Sequence, residues 1–170
     1  MPPIVHLTSS VYLFARIDGS LHLGLIEHPR VGGLLIAGGH VETTVEMPSD
    51  AALRETAEET GFHARLVPPP HLALPLGYPH PAVASPWWIP RIPVNADGHA
   101  SEPHVHEDHQ YVAEADLACP RTPAEHPFHW VLAVDLPRLP LPTGTRIAAE
   151  HLFALLDVRP DLLTAGVKRL

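Results

Sequence analysis

The sequence predicts a mixed β-sheet with helices packed on it, and therefore an α/β or α+β fold. Two observations support this prediction. The predicted elements follow the order strands, helix, strands, helix, which favours helices on a sheet over an all-helical or all-β design. The segment 51–59 consists mostly of good helix formers and follows a series of short apolar runs. With 170 residues, the chain fits a single domain spanning 1–170.

The first third of the sequence predicts three strands. Apolar runs at 11–15 and 21–26 flank Asp18-Gly19, and an Asp-Gly pair between apolar runs is typical of a β-hairpin. A third apolar run, 34–37, ends in Gly38-Gly39. Two consecutive glycines indicate a turn where the backbone adopts an unusual conformation or approaches another group closely.

The segment after this turn predicts a helix. Ser49 is of a residue type that caps helix N-termini, 51–59 forms the body of the helix, and Gly61 supplies the stop. The apolar residues that follow, at 62–67, predict another strand.

The second half of the chain is rich in proline, which accounts for 21 residues of the whole sequence. Proline cannot donate to a β-ladder, so the segments 87–89 and 91–94 are predicted as edge strand at most. Further strands are predicted at 103–113 and 130–134. The spacing of apolar residues at 146–156 predicts a second helix.

The net charge of −8 argues against a partner that is duplex nucleic acid, because such binding depends on Lys and Arg neutralising phosphates. A small polyphosphate remains compatible, since a bound divalent cation inverts the potential of an acidic pocket. A single cysteine, Cys119, excludes an internal disulfide and favours a reducing compartment. The sequence shows neither a secretory signal nor a membrane-spanning run, so we expect a cytoplasmic protein without a membrane partner.

The predicted helix concentrates acidic side chains on one face. At 100° per residue, Glu55, Glu58 and Glu59 fall within one arc. The opposite side carries Leu53, Thr56, Ala57 and Thr60. Carboxylates so close together repel one another, and Mg²⁺, which prefers hard oxygen ligands, is the natural counter-charge. Arg54 is placed to orient one of these carboxylates through a bidentate pair.

These residues resemble the signature of the Nudix hydrolases. That signature runs glycine, five residues, Glu, seven residues, Arg-Glu, an apolar and any residue, Glu-Glu, any residue, glycine, apolar residue. The matching positions are Gly39, Glu46, Arg54, Glu55, Glu58, Glu59, Gly61 and Phe62. The chain departs from the signature in two places: six residues separate Gly39 from Glu46, and Thr56 occupies a position that is usually aliphatic.

The resemblance implies an α/β/α sandwich that acts as a hydrolase. It implies that the Gly39 carbonyl and the side chains of Glu55, Glu58 and Glu59 bind Mg²⁺ or Mn²⁺. It also implies that Arg54 orients a glutamate, and that Glu46 pairs with the helix or helps to hold it. The implied reaction is cleavage of a phosphoanhydride bond in a nucleoside diphosphate linked to another group, with a metal-bound water as nucleophile. The general base would be Glu55 or a residue from a later loop, and the resemblance is compatible with a homodimer.

A second concentration of polar chemistry follows Pro103. If this segment is a strand, His104, His106 and Asp108 share one face, and Glu107 lies on the other. We interpret the first three as substrate-binding residues, and Asp108 and Glu107 as further candidates for the general base. The alternative is that a chain with 14 histidines places some together by chance as surface groups.

Three other interpretations stay open on the sequence alone. The acidic arc could be a solvated helix face without a ligand. The chain could be a small metalloprotein in which His104, His106 and Asp108 hold iron or zinc. It could also bind a nucleotide derivative without cleaving it. Among substrates, the pattern accommodates oxidised nucleotides, ADP-ribose, dinucleoside polyphosphates, nucleotide sugars and coenzymes.

Overall fold

A mixed β-sheet forms the middle layer of the fold in the computed structural model, which describes residues 3–42, 45–70, 74, 76, 78–96, 99–119 and 121–164. The strands in these ranges are β1 (Val5–Ile17), β2 (Ser20–His28), β3 (Gly33–Leu35), β4 (Ala37–His40), β5 (Ala64–Val67), β6 (Arg91–Val94), β7 (His104–Ala115) and β8 (Phe128–Val131). The helices are α1 (Pro48–Thr60), α2 (Thr143–Val158) and the short α3 (Asp161–Thr164), and a 3₁₀ helix spans Ala133–Arg138.

Strand β1 is the centre of the sheet. The strand order is β3-β2-β1-β7-β5; in addition β4 pairs with β1, β6 with β7, and β8 with β2. The pairing of β1 with β7 is parallel, and the other strand pairings are antiparallel. The predicted hairpin between β1 and β2 is confirmed, with Asp18 and Gly19 both at positive φ. This arrangement brings β4 and β7 to the two edges of one strand.

Helices cover both faces of the sheet. On β1, Tyr12 and Phe14 point into a hydrophobic cluster that includes Leu152 of α2. Leu13, between them in sequence, points into a second cluster that includes Ala52 of α1. Because alternate residues of a strand face opposite sides, α1 and α2 lie on opposite faces of the sheet. The α/β/α sandwich predicted from the sequence is therefore confirmed.

The two ends of α1 agree only partly with the prediction. Ser49 was expected to cap the helix, and this is wrong: the N-cap is Met47 and Ser49 lies inside the first turn. Pro48 explains the earlier start, because its fixed φ suits the first helical position, where no backbone donor is needed. The predicted stop at Gly61 is confirmed, since Gly61 adopts a left-handed conformation and its N–H donates to the Ala57 carbonyl. Of the loop before α1, Thr43 and Thr44 lie outside the described residues.

Two segments of the second half differ from the prediction. The segment expected as strand 130–134 is strand only to Val131, because the 3₁₀ helix begins at Ala133 and the Asp135 side chain caps it by accepting a hydrogen bond from the Leu132 N–H. At 87–89, a single bridge joins Trp88 to Gln110 where a continuous edge strand was predicted. Among the described residues, no helix combines the length and apolar character needed to cross a bilayer.

We predict that Gly61→Ala destabilises the fold. Gly61 has φ 74°, and an added Cβ would overlap the Thr122 carbonyl oxygen of the loop that packs over this end of α1. The left-handed conformation alone costs a non-glycine residue about 1–2 kcal/mol, and urea unfolding would measure the loss. Gly144→Ala in α2 is the matched control, because nothing described lies within 4 Å of its added Cβ. Equal unfolding midpoints for the two variants would contradict the prediction.

Candidate active site

The acidic face of α1 lies against the backbone of β4. The Glu59 carboxylate accepts a hydrogen bond of 2.9 Å from the Gly38 N–H. The Glu55 carboxylate packs so closely on Gly39 that a Cβ at that position would overlap it. The side chains of Glu55 and Glu59 are only 15% and 8% exposed, whereas that of Glu58 is 46% exposed. The site therefore has two buried carboxylates at its base and one at its rim.

Arg54 connects these carboxylates. One of its terminal nitrogens donates to Glu55 at 2.8 Å and to Glu58 at 3.0 Å. Its Nε donates to Glu46 at 2.9 Å, and its other terminal nitrogen donates to the His40 carbonyl at 3.1 Å. One guanidinium thus ties α1 to the end of β4 and to the loop between them.

Glu46 supports Arg54 from this loop. Its carboxylate also accepts a hydrogen bond of 2.8 Å from the Glu42 N–H, which fixes its position. The hydrogen bond from Arg54 lowers the pKa of Glu46, so this group stays ionised and holds the guanidinium in place. Glu46 therefore contacts the helix through Arg54.

The buried carboxylates carry more negative charge than their surroundings neutralise. The pKa of Glu59 is raised to about 7: burial is the largest cause, the charges of Glu55, Glu125 and Glu58 add to it, and the hydrogen bond from the Gly38 N–H opposes it. Burial also raises the pKa of Glu55, partly offset by Arg54. A divalent cation would relieve this repulsion, and the donors present, carboxylate oxygens beside a backbone carbonyl, are those that Mg²⁺ prefers. The residues of the site therefore fit such an ion.

A later loop closes the C-terminal end of α1. The N–H of Glu125 donates to the Glu58 carbonyl at 2.9 Å, and the His126 ring lies 3.5 Å from the Glu59 carboxylate. Sequence reasoning did not find Glu125 or His126. They are more than sixty positions from α1, and no local spacing connects them to the helix.

A cavity of about 880 Å³ adjoins this loop. His126 belongs to both, since it lines the cavity and contacts Glu59. Trp130 and Leu139 give the cavity apolar walls, and Arg138 brings a positive charge. A ligand with a flat or apolar portion would find complementary surfaces here, and the charged groups of the lining are Arg138, Glu27 and Asp135.

The three residues predicted to bind substrate on β7, His104, His106 and Asp108, have different surroundings. Their side chains share one face, as expected, but Asp108 is only 6% exposed. Its carboxylate accepts hydrogen bonds from Thr8, Ser10 and Gln110, at 3.0, 2.6 and 2.9 Å. Asp108 thus joins β1 to β7 inside the sheet, which does not favour its predicted role in substrate binding or proton transfer.

The other β7 residues have different surroundings again. Glu107, the other further candidate for the general base, forms an ion pair of 2.8 Å with Arg91 on β6. The rings of His104 and His106 lie 3.0 Å apart, Nε2 to Nε2. They form a cluster with His6 of β1 and His40 of β4, in which one ring nitrogen of each lies within 4.8 Å of the others. No spacing in the sequence predicts this cluster, because it depends on which strands are neighbours.

Comparison with known protein families decides the identity of the fold. The model of the NUDIX domain matches residues 7–135, which include most of β1, all of β4 and α1, and the loop that carries His126. The chain belongs to the Nudix hydrolase family. This Nudix protein is also 43% identical over 63 residues to a "Probable DHNTP pyrophosphohydrolase" of Lactococcus lactis subsp. cremoris (strain MG1363). That alignment covers 37% of this chain and 35% of the relative, so it spans about a third of the relative's length.

Solved structures share the Nudix fold with this chain. A NUDIX family hydrolase from Clostridium perfringens has a TM-score of 0.68 at 22% identity, covering 89% of this chain and 97% of that one. The NUDIX domain of Shewanella oneidensis NrtR, complexed with ADP ribose, has a TM-score of 0.54 at 21% identity, covering 89% and 88%. The Ap4A hydrolase of C. elegans has a TM-score of 0.54 at 13% identity, covering 89% and 99%.

We predict that the metal-free protein loses stability as the pH rises from about 5 to about 8, and that Glu59 causes part of this loss. The pKa of Glu59 in the folded state, about 7, lies above its ordinary value, so the folded state favours the protonated carboxyl. The contribution of Glu59 to stability is therefore fully present below the ordinary value and is lost as the pH rises through the folded pKa. Urea unfolding in the presence of a chelator measures this slope.

Glu59→Gln should reduce the pH dependence, because an amide does not titrate in this range. Glu150→Gln, on the exposed face of α2, is the matched control and should keep the slope of the unaltered protein. A Glu59→Gln protein that retains the full slope would show that the proton is taken up elsewhere.

Proposed function

We propose that this Nudix protein is a Mg²⁺-dependent pyrophosphohydrolase that cleaves a phosphoanhydride bond in a nucleoside diphosphate linked to another group. The observation that carries the proposal is the contact of two buried carboxylates, Glu55 and Glu59, with the backbone at Gly38 and Gly39. Buried carboxylates without full neutralisation are rare unless they serve a bound cation or a reaction.

The ion would be held by the Gly39 carbonyl and by the carboxylates of Glu55, Glu58 and Glu59. When bound, Mg²⁺ would lower the pKa of a water molecule and neutralise charge on the phosphates. Mn²⁺ has similar preferences for oxygen ligands and would serve as a substitute.

The chain's own residues supply orientation. Arg54 fixes the directions of Glu55 and Glu58, and Glu46 fixes Arg54. The Gly38 N–H fixes Glu59. These contacts restrict the carboxylates before any ligand arrives, and such preorganisation is a major source of catalytic rate.

Two carboxylates are suitably placed to accept the proton of the attacking water. Glu55 is buried beside Gly39 with a raised pKa, which makes it a better base near neutral pH. Glu125 lies on the loop over the end of α1 and acts electrostatically on Glu59. Neither role involves Asp108, whose oxygens already accept hydrogen bonds within the sheet.

The cavity and the relatives support the proposed substrate class. The cavity that contains Trp130, His126 and Arg138 adjoins the carboxylates through His126, so a nucleoside could occupy it while its diphosphate reaches α1. The named relatives support the same class, since they include a "Probable DHNTP pyrophosphohydrolase", an Ap4A hydrolase and a domain complexed with ADP ribose. A small diffusible substrate also suits a chain of net charge −8 better than duplex nucleic acid does.

Binding without hydrolysis is the second candidate function. The Shewanella domain complexed with ADP ribose is the observation that favours it. The complete set of acidic residues on α1 favours hydrolysis for the present chain, because simple recognition of a nucleotide does not require a buried acidic cluster next to a Gly-Gly backbone.

We predict that a panel of nucleoside diphosphate derivatives, assayed with and without Mg²⁺, contains a substrate that is cleaved only with the metal. Released phosphomonoesters can be measured as inorganic phosphate after phosphatase treatment. Glu58→Gln and Glu59→Gln should fold and should lower kcat on the order of 100-fold or more, because each removes a charge that the transition state needs. Glu150→Gln on α2 is the control and should keep full activity.

Each outcome has a clear meaning. Full activity in Glu58→Gln or Glu59→Gln would remove that carboxylate from the proposed metal site. Binding of ADP-ribose without turnover of any compound in the panel would support the non-catalytic function.

A further inference from the structure

A cluster of histidines lies beside the carboxylate site but on the other face of the sheet. His6 comes from β1, His40 from β4, and His104 and His106 from β7. One ring nitrogen from each lies within 4.8 Å of the corresponding nitrogens of the others. Three strands therefore contribute to one small volume.

Strand register explains how the rings meet. His6 is opposite His106 in the parallel pairing of β1 with β7, and His40 is opposite Thr8 in the antiparallel pairing of β1 with β4. Alternation along β1 puts His6 and Thr8 on the same face as Tyr12, which packs on the α2 side. The histidines thus project away from α1 and its carboxylates, and they form a separate group.

The hydrogen bonds of His104 direct the lone pair of its Nε2 into the cluster. His104 is only 3% exposed, and its Nδ1 lies 3.0 Å from the Glu102 carbonyl oxygen, which can only accept a hydrogen bond. The proton of a neutral His104 ring is therefore on Nδ1, and its Nε2 lone pair accepts a hydrogen bond from the His106 Nε2–H, a proton that a metal ion would replace. A backbone carbonyl that fixes the tautomer in this way is the usual outer partner of a metal-bound histidine.

His6 supplies an independent indication. Its Nδ1 is buried and has no hydrogen-bond partner among the described residues. Buried polar nitrogens are almost always satisfied by protein, water or an ion. The rings of His104, His40 and His106 lie around His6, with centroid distances of 4.5, 5.4 and 6.2 Å. A cation among these rings would give the His6 ring a role that the protein atoms alone do not supply.

We propose that His6, His40, His104 and His106 bind a divalent transition metal, and that this metal is zinc. Imidazole nitrogen suits zinc and related transition metals, whereas Mg²⁺ prefers oxygen. In a tetrahedral zinc site the ligand nitrogens are about 3.3 Å apart, so small side-chain rotations would bring the present nitrogens to that spacing. Four protein ligands fill the coordination shell and leave no position for a reacting water, so the site is structural.

The ligand set differs from that considered on the sequence alone. Asp108 is excluded by its hydrogen bonds to β1 and Gln110, and His6 and His40 take part instead. A metal held this way joins β4 to β1 and β7 at a position next to Gly39. The metal would therefore restrict the motion of the Gly39 backbone, which contacts Glu55. The effect of this restriction on hydrolysis is the one consequence that rests on the proposed function.

The test measures zinc binding by the full chain. The protein is first treated with a chelator, then given zinc in excess Mg²⁺, and finally dialysed. We expect the protein to retain about one equivalent of zinc through dialysis, and to show with Co²⁺ the intense visible absorption of a tetrahedral complex. X-ray absorption at the zinc edge should show imidazole nitrogen as the ligand. No retained zinc, or coordination mainly by carboxylate oxygen, would overturn the proposal without affecting the proposed hydrolase.

Variants locate the ion. His6→Ala and His106→Ala should weaken zinc binding on the order of 100-fold or more, since even outer partners of a metal ligand change affinity about 10–100-fold. His22→Ala, near the β1–β2 turn, and Glu59→Gln should retain the affinity of the unaltered protein. Circular dichroism establishes that each variant folds, and His6→Gln replaces His6→Ala if the latter does not. Unchanged zinc affinity in both cluster variants would overturn the proposal, and loss of zinc in Glu59→Gln would place the ion at the carboxylates instead.

Discussion

The carboxylates of Glu55 and Glu59 are pressed against the backbone of β4 in surroundings that screen their mutual repulsion poorly. A folded chain keeps such groups together only if other interactions offset the repulsion. Arg54 offsets part of it, and Glu46 holds Arg54 in position. Burial and the remaining negative charge raise the pKa of Glu59, and this property is the basis for proposing a cation site at this end of α1.

The sheet makes this arrangement possible because successive residues of β1 point to opposite faces and contact different groups. The hydrophobic side chains of β1 point alternately to the two faces of the sheet, so that α1 packs on one face and α2 on the other. Near the start of β1 the same alternation continues in polar residues: Ser9 donates to the Pro48 carbonyl at the beginning of α1, whereas Thr8 and Ser10 bind Asp108 on the opposite face. The carboxylates of Glu55 and Glu59 consequently lie on the α1 side of the sheet, and the histidine cluster lies on the other side together with Asp108.

Local sequence spacing was sufficient for the features that one helix contains. The acidic arc and the end of α1 at Gly61 follow from helical periodicity and glycine conformation, and both agree with the structure. The cap at Ser49 failed because Pro48 started the helix earlier. Features that depend on strand register could not be predicted from the sequence. Asp108 looked available in the sequence because its hydroxyl partners lie a hundred residues away on β1, and His6 showed no relation to His106 until the parallel pairing was known.

The central claim is that the carboxylates of α1 and the carbonyl of Gly39 share one divalent ion. Anomalous scattering from crystals grown with Mn²⁺ tests this most directly, because Mn²⁺ substitutes for Mg²⁺ at oxygen sites and is located by its own signal. We predict a peak between Gly39 and the carboxylates of Glu55 and Glu59. Crystals saturated with Mn²⁺ that show no peak there, while the carboxylates keep their contacts with Arg54 and Gly38, would contradict the account.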